Sequence, residues 1–184
     1  MLRYNKAVFL DLNGTLVLPL KQESLSEMKL VSDADLAVAK LIEEKFVCPV
    51  ITIQSGIAKG RFTEYEFRIW FSNFFSELRL DVKGPYICPH RFAEPCLCKK
   101  PGLLLYKQAA KDYSIDLSRS YVIGDTASDV MAGKKMGGTG CLVKTGWKEN
   151  ESEYENAKHK ASYIGYTIGE VVDWILTNER NNME

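Results

Sequence analysis

Two groups of side chains in this sequence have the types and spacing to do chemistry. The first opens in FLDLNGTLV, residues 9–17, where the apolar run Ala7–Leu10 stops at Asp11, with Asn13, Gly14 and Thr15 just behind. A carboxylate at such a stop can be a nucleophile, a metal ligand or a helix cap. Capping is the commoner role for an isolated Asp followed by glycine. Here, however, VIGDTASD repeats the arrangement, with Asp125 after another apolar run and Asp129 beyond it. Asp11 and Asp125 could share one hard divalent cation through oxygen, as Mg²⁺ prefers. Such a cation would shield phosphate charge and let an anionic carboxylate attack it. An aspartyl-phosphate is an established form of covalent catalysis.

The second group lies in CPHRFAEPCLCKKP. Cys88, His90, Cys96 and Cys98 fall within eleven residues and supply three thiolates and an imidazole. A Cys₃His set on one loop is a closed tetrahedral site for structural Zn²⁺; a catalytic zinc keeps a position open. Buried cysteines can simply pack, and that is the reading for Cys48 and Cys141, which lie in candidate strands. The zinc would staple the loop at 88–100 and present Lys99 and Lys100.

Positioning these groups needs a scaffold, and the chain spells one. Candidate strands are Ala7–Leu10, Val47–Ile53, Pro85–Cys88, Tyr121–Ile123 and Cys141–Val143. Between them come helical patterns near Asp33–Glu44, Thr63–Leu80, Leu103–Tyr113 and Ala127–Met136. Thr63 and Glu66 form a capping box, and Gly137 stands where a helix C-terminal glycine belongs. Alternating helices and unbroken apolar strands predict an α/β fold, a doubly wound parallel sheet with helices on both faces. Right-handed crossovers put the strand C-terminal ends on one rim, where ligands bind. Asp11, Thr52 and Asp125 all fall at or just after such ends.

FLDLNGT, ITIQSG, KKP and YVIGDTASD stand in the order of the four motifs of the haloacid dehalogenase-like phosphotransferase superfamily, which the chain resembles from residue 7 to about 146. The resemblance implies Asp11 as nucleophile, Thr52 holding the transferring phosphoryl group and Lys100 neutralising it. It implies Mg²⁺ on Asp11, Asp125 and the carbonyl of Asn13, with Asp129 in support. The family pattern is DxDGT, and its second Asp protonates the leaving group and later deprotonates water. Asn13 stands in that place and cannot exchange a proton near neutral pH. General acid–base help is worth about 10²–10⁴-fold, so turnover is expected to be slow.

The zinc loop resembles the branch of D-glycero-D-manno-heptose 1,7-bisphosphate 7-phosphatases and histidinol-phosphate phosphatases. QSGIAKGRFTEYEF and VKTG, residues 143–146, resemble the heptose branch, whereas the short gap from His90 to Cys96 is more like the other. In this branch Gln54 and Ser55, through their backbone, and Lys99 with Lys100 would grip substrate. Lys99 replaces the usual Arg, Thr126 a Lys near the phosphate, Ile53 an Asn and Leu12 a commonly polar residue. The implied function is Mg²⁺-dependent hydrolysis of a small sugar phosphate such as a heptose bisphosphate, with histidinol phosphate second. A ligand-binding homologue that has lost its acid is the non-enzymatic alternative, and phosphoryl transfer to an alcohol is a further one.

The chain has 184 residues, 46% hydrophobic and 26% charged, with zero formal net charge. That fits one domain, residues 1–184, with 177–184 a frayed tail and Val17–Leu30 a short insertion in place of a large cap domain. Without a basic face, nucleic acid is not expected as a partner; a small phosphorylated metabolite is. No apolar run approaches the roughly 20 residues that span a bilayer. The first apolar stretch is too short for a signal peptide, so a cytoplasmic protein with no membrane contact is expected. Tyr65, Phe67, Trp70, Phe71, Phe74 and Phe75 crowd the second helix. They read mainly as core, with a monomer or weak homodimer expected. His159 reads as a surface residue.

Overall fold

The apolar run before Asp11 forms β1 (Val8–Leu10), wholly buried. In the computed structural model, which describes residues 4–20, 23–145 and 151–181, β1 lies in the middle of a parallel sheet. Its neighbours are β4 (Pro49–Ile53) on one side and β6 (Tyr121–Gly124) on the other. Outside β4 lies β5 (Lys83–Cys88); outside β6 lie β7 (Thr139–Val143) and β8 (Tyr163–Gly165). The order is β5-β4-β1-β6-β7-β8. The chain leaves β1 for one side and later returns to the other, which opens a crevice at the C-terminal end of β1.

Period-two alternation assigns the faces. Val8, Leu10, Val50, Tyr121 and Ile123 join one apolar cluster, with α1 (Ala34–Glu43), α3 (Glu64–Glu77) and α7 (Ile168–Asn181). Ala7, Phe9, Ile51 and Val122 join the opposite one, with α4 (Leu104–Tyr113) and α5 (Ala127–Lys135). Apolar contact on both faces is why the strands read as unbroken hydrophobic runs. The capping box at Thr63 is present, with Glu66 N donating to Thr63 Oγ1 at 3.1 Å and Thr63 N to Glu66 Oε2 at 2.7 Å. On α3, Phe67, Phe71 and Phe75 face the core at four-residue spacing and Trp70 and Phe74 pack beside them, while Tyr65 is 73% exposed. Gly137 follows α5 at φ +83°.

The stretch Val17–Leu30 is a small flap, in which β2 (Val17–Leu18) pairs antiparallel with β3 (Lys29–Leu30). A four-residue helix, α2 (Ser55–Ala58), follows β4. The flap strands, α2, α7, α6 (Glu151–Lys158) and β8 were not expected. The expected frayed tail is corrected as far as Asn181, because α7 buries Ile168, Val171, Val172, Ile175 and Leu176 at helical spacing. Its end is pinned by Glu179, which accepts from Tyr121 Oη at 2.8 Å and pairs with Lys6. Residues 182–184 lie outside the described residues, as does Gly146 of VKTG. Cys48 and Cys141 are buried in the core and His159 is exposed. No helix among the described residues is long and apolar enough to cross a membrane.

Candidate active site

Three adjacent strands deliver the site. Asp11 follows β1, Thr52 lies near the end of β4 and Asp125 follows β6. Asp11 N donates to Ile123 O at 2.9 Å, extending the sheet pairing by one residue. Asp129 comes from the first turn of α5. Oxygens of Asp11, Asp125 and Asp129 all lie within 4.8 Å of one another, and all three residues are buried. Two glycines make the room. Gly14 has φ +90°, and a Cβ there would meet Asp125 Oδ2 at 2.2 Å; at Gly124 a Cβ would meet Asp129 Cγ at 2.2 Å.

Lys100 enters from the loop after β5. Its Nζ donates to Asp11 Oδ1 at 2.5 Å, Asp129 Oδ1 at 2.5 Å and Ile51 O at 3.3 Å. One buried ammonium thus faces three buried carboxylates. Burial pushes Asp11 up to about 6, against the pull of Lys100 and with the help of Asp129. Burial, then Asp11 and Asp129, hold Asp125 well above the usual carboxylate range. For Lys100 burial works against the charge, but Asp11 and Asp129 hold it well above the usual lysine range. Oxygens crowded in this way without enough positive charge fit a hard divalent cation.

The polar ring continues with Thr15 Oγ1, which donates to Asp11 Oδ2 at 3.3 Å. Gln54 Nε2 donates to Thr52 Oγ1 and to Asn13 Oδ1, each at 2.8 Å. Asn13 Nδ2 donates to Pro19 O at 3.2 Å. Thr145 Oγ1 donates to Gly14 O and so ties VKTG to the turn after Asp11. Thr15 and Thr145 lie in motifs already noted but had no assigned role, and nothing in the linear sequence marked the Gln54 side chain or the Pro19 carbonyl.

Three of the groups expected to grip substrate have other partners in this structure. Lys99 Nζ donates to the carbonyls of Arg91 (2.8 Å), Phe92 (2.6 Å) and Glu94 (2.7 Å), pinning the loop from within. The Thr126 hydroxyl donates to Asp129 Oδ2 at 2.5 Å and stands 2.8 Å from Ser128 Oγ. The Gln54 backbone N–H donates to Cys88 O at 2.8 Å. Ser55 opens α2 beside it, half-buried.

Cys88, His90, Cys96 and Cys98 converge as expected. Cys88 Sγ stands 3.1 Å from Cys98 Sγ and 3.7 Å from Cys96 Sγ; His90 Nδ1 stands 3.2 Å from Cys98 Sγ and 3.7 Å from Cys88 Sγ. Ligands about 2.0–2.3 Å from a central ion stand roughly 3.3–3.8 Å apart at the corners of a tetrahedron, so the set fits zinc. Arg91, on the same loop, donates from Nη2 to Ala58 O at 3.2 Å and joins it to α2.

Comparison with known proteins points the same way. Residues 97–171 match the family model described as HAD-hydrolase-like. The chain is 35% identical over 187 aligned positions to the D-glycero-beta-D-manno-heptose-1,7-bisphosphate 7-phosphatase of Escherichia coli K12, covering 94% of this chain and 88% of that protein. It is 31% identical over 164 positions to the D-glycero-alpha-D-manno-heptose-1,7-bisphosphate 7-phosphatase of Photorhabdus laumondii, covering 83% and 89%. The fold matches a crystal structure of D,D-heptose 1,7-bisphosphate phosphatase from B. bronchiseptica, complexed with magnesium and phosphate. There the TM-score is 0.80, at 22% identity, over 94% of this chain and 99% of that one.

Proposed function

The chain belongs to the HAD-like hydrolases, beside the heptose bisphosphate phosphatases, and we propose that it hydrolyses the phosphate monoester of a small sugar phosphate through a phosphorylated Asp11. The observation that carries this reading is the meeting of Asp11, Lys100, Asp125 and Asp129 at the end of the central strand. A heptose 1,7-bisphosphate is the proposed substrate, supported by the two relatives at 31% and 35% identity; histidinol phosphate stands second.

The chain's own groups define the steps. Lys100 Nζ and the Thr52 hydroxyl hold the phosphoryl oxygens. An Asp11 oxygen attacks phosphorus as the bond to the sugar oxygen breaks, and that oxygen leaves with the electron pair. Its proton must come from solvent, because Asn13 has none to give. Water then attacks the phosphorus of the aspartyl-phosphate, freeing Asp11 and inorganic phosphate, again without a carboxylate at residue 13 to take the proton. Asp11, Asp125 and the carbonyl of Asn13, supported by Asp129, would hold Mg²⁺, which when bound neutralises phosphate charge. The Cys₃His loop would hold a structural zinc.

The test is phosphate release, with Mg²⁺, by the natural chain, Asp11→Ala and Asn13→Asp. The substrates are both anomers of heptose 1,7-bisphosphate and histidinol phosphate. Asp11→Ala should abolish release; if release persists, the mechanism is wrong. Asn13→Asp should raise turnover about 10²-fold on the true substrate. A second reading is favoured by one observation: Asn13 is bonded at both ends of its amide, to Pro19 O and Gln54 Nε2, as an established part of the site. On that reading the protein binds a phosphorylated ligand without turning it over, and Asn13→Asp stays silent while binding persists.

A further inference from the structure

We propose that Gln54 is a positioning residue whose side-chain amide, itself oriented by Asn13, sets the direction of the hydrogen bond made by the Thr52 hydroxyl. The inference rests on the phosphatase reading above, from which it takes the task of Thr52, and it adds a residue that the motifs alone do not supply. Gln54 is 1% exposed, and its backbone is fixed by the bond from its N–H to Cys88 O. Its Nε2 stands 2.8 Å from both Thr52 Oγ1 and Asn13 Oδ1.

The polarity of this chain of bonds is decided at one end. The Pro19 carbonyl can only accept, so it must face the NH₂ of Asn13. The Asn13 oxygen then faces Gln54, which must present its own NH₂. An amide nitrogen only donates, so Thr52 Oγ1 accepts from Gln54, and its single O–H proton is turned away from Gln54. That leaves the hydroxyl with its proton available to a phosphoryl oxygen. Had Gln54 presented its oxygen instead, Thr52 would spend its proton there and offer the phosphoryl group only lone pairs, which repel it. A donor aimed in advance at the transferring group stabilises charge without reorganising during the reaction.

The experiment measures kcat and KM for phosphate release, together with Tm, in the full chain and in Gln54→Met, Gln54→Glu, Thr52→Ala and the Gln54→Met/Thr52→Ala double variant. Methionine keeps the length and removes the bonds; glutamate keeps the shape and can only accept when ionised. Gln54→Met should lower kcat about tenfold, the scale of one orienting hydrogen bond, with a smaller change in KM. Gln54→Glu should lose more. The double variant should be no slower than Thr52→Ala, since Gln54 acts through that hydroxyl. If Gln54 only packs, Gln54→Met moves Tm and leaves kcat unchanged, and the proposal falls. It falls equally if the Gln54 and Thr52 losses multiply. Asp11→Ala, run alongside, separates the two levels: its loss of activity with Gln54→Met unimpaired overturns the positioning role alone. Persistent release in Asp11→Ala overturns the phosphatase reading and this inference with it.

Discussion

The Cys₃His loop and the carboxylate cluster are both candidate metal centres, yet they are built in opposite ways. The loop draws its four ligands from residues 88–98. It is held by its own backbone, with Lys99 bonded to three of its carbonyls, and three of its four ligands are only half-buried. The acid cluster draws Asp11, Asp125 and Asp129 from segments far apart in the sequence and buries them where β1 and β6 pair. A site closed by a local loop can be opened without the sheet. A site made of strand ends cannot be separated from the fold. Lys100 links the two: it leaves the Cys₃His loop and ends on Asp11 and Asp129.

That link sets the largest expected effect. Removing zinc with a chelator should free the loop, displace Lys100 and cut phosphate release by about 10² or more, while far-UV circular dichroism keeps the sheet signal. Metal analysis should find one zinc per chain beforehand. Unchanged turnover after complete zinc loss would break the link between the two centres.

A smaller effect distinguishes them by pH. Asp11 is raised from the usual 3.8 to about 6, burial being the main cause. A raised carboxyl means that the folded state holds the proton more tightly than the unfolded state. Stability of the metal-free protein is therefore lost as pH rises from about 4 through about 6, and the penalty is complete above that. Asp11→Asn removes the penalty. In the absence of divalent cations it should melt higher than the natural chain at pH 8, with the gap closing near pH 4. A gap independent of pH would show that Asp11 carries no such cost.

The smallest effect concerns the floor of the acid cluster. Tyr106, on α4, packs edge-on against Phe9 of β1 with ring centroids 5.1 Å apart, and its buried hydroxyl has no hydrogen-bond partner among the described residues. An unmet buried hydroxyl costs about 1–3 kcal/mol. Tyr106→Phe should therefore raise Tm by a few degrees in a thermal melt, and a fall would mean that the hydroxyl is bonded in solution.

Much of this was legible residue by residue. The five apolar runs became five strands because strands apolar on both faces leave an unbroken pattern. The Cys₃His set was legible because its members are neighbours in sequence. The helix α7 went unread although Val171, Val172, Ile175 and Leu176 carry helical spacing. The charged residues around its end looked like a solvated tail until Glu179 met Tyr121 and Lys6. The hairpin and β8 are two- and three-residue strands, too short to carry a period.

The sequence by itself determined which chemical groups the site owns: a carboxylate after each of two strands, an amide at residue 13, a threonine, a lysine and a Cys₃His set. Tertiary structure decided how they are spent. Lys99 turns into its own loop, Thr126 is taken by Asp129, and Gln54 gives its amide hydrogens to Thr52 and Asn13. The reason is physical. A buried donor or acceptor must find a partner or carry the full cost of desolvation, and whether it turns to a near neighbour, as Thr126 does to Asp129, or to a distant one, as Gln54 does to Asn13, is settled only when the chain folds.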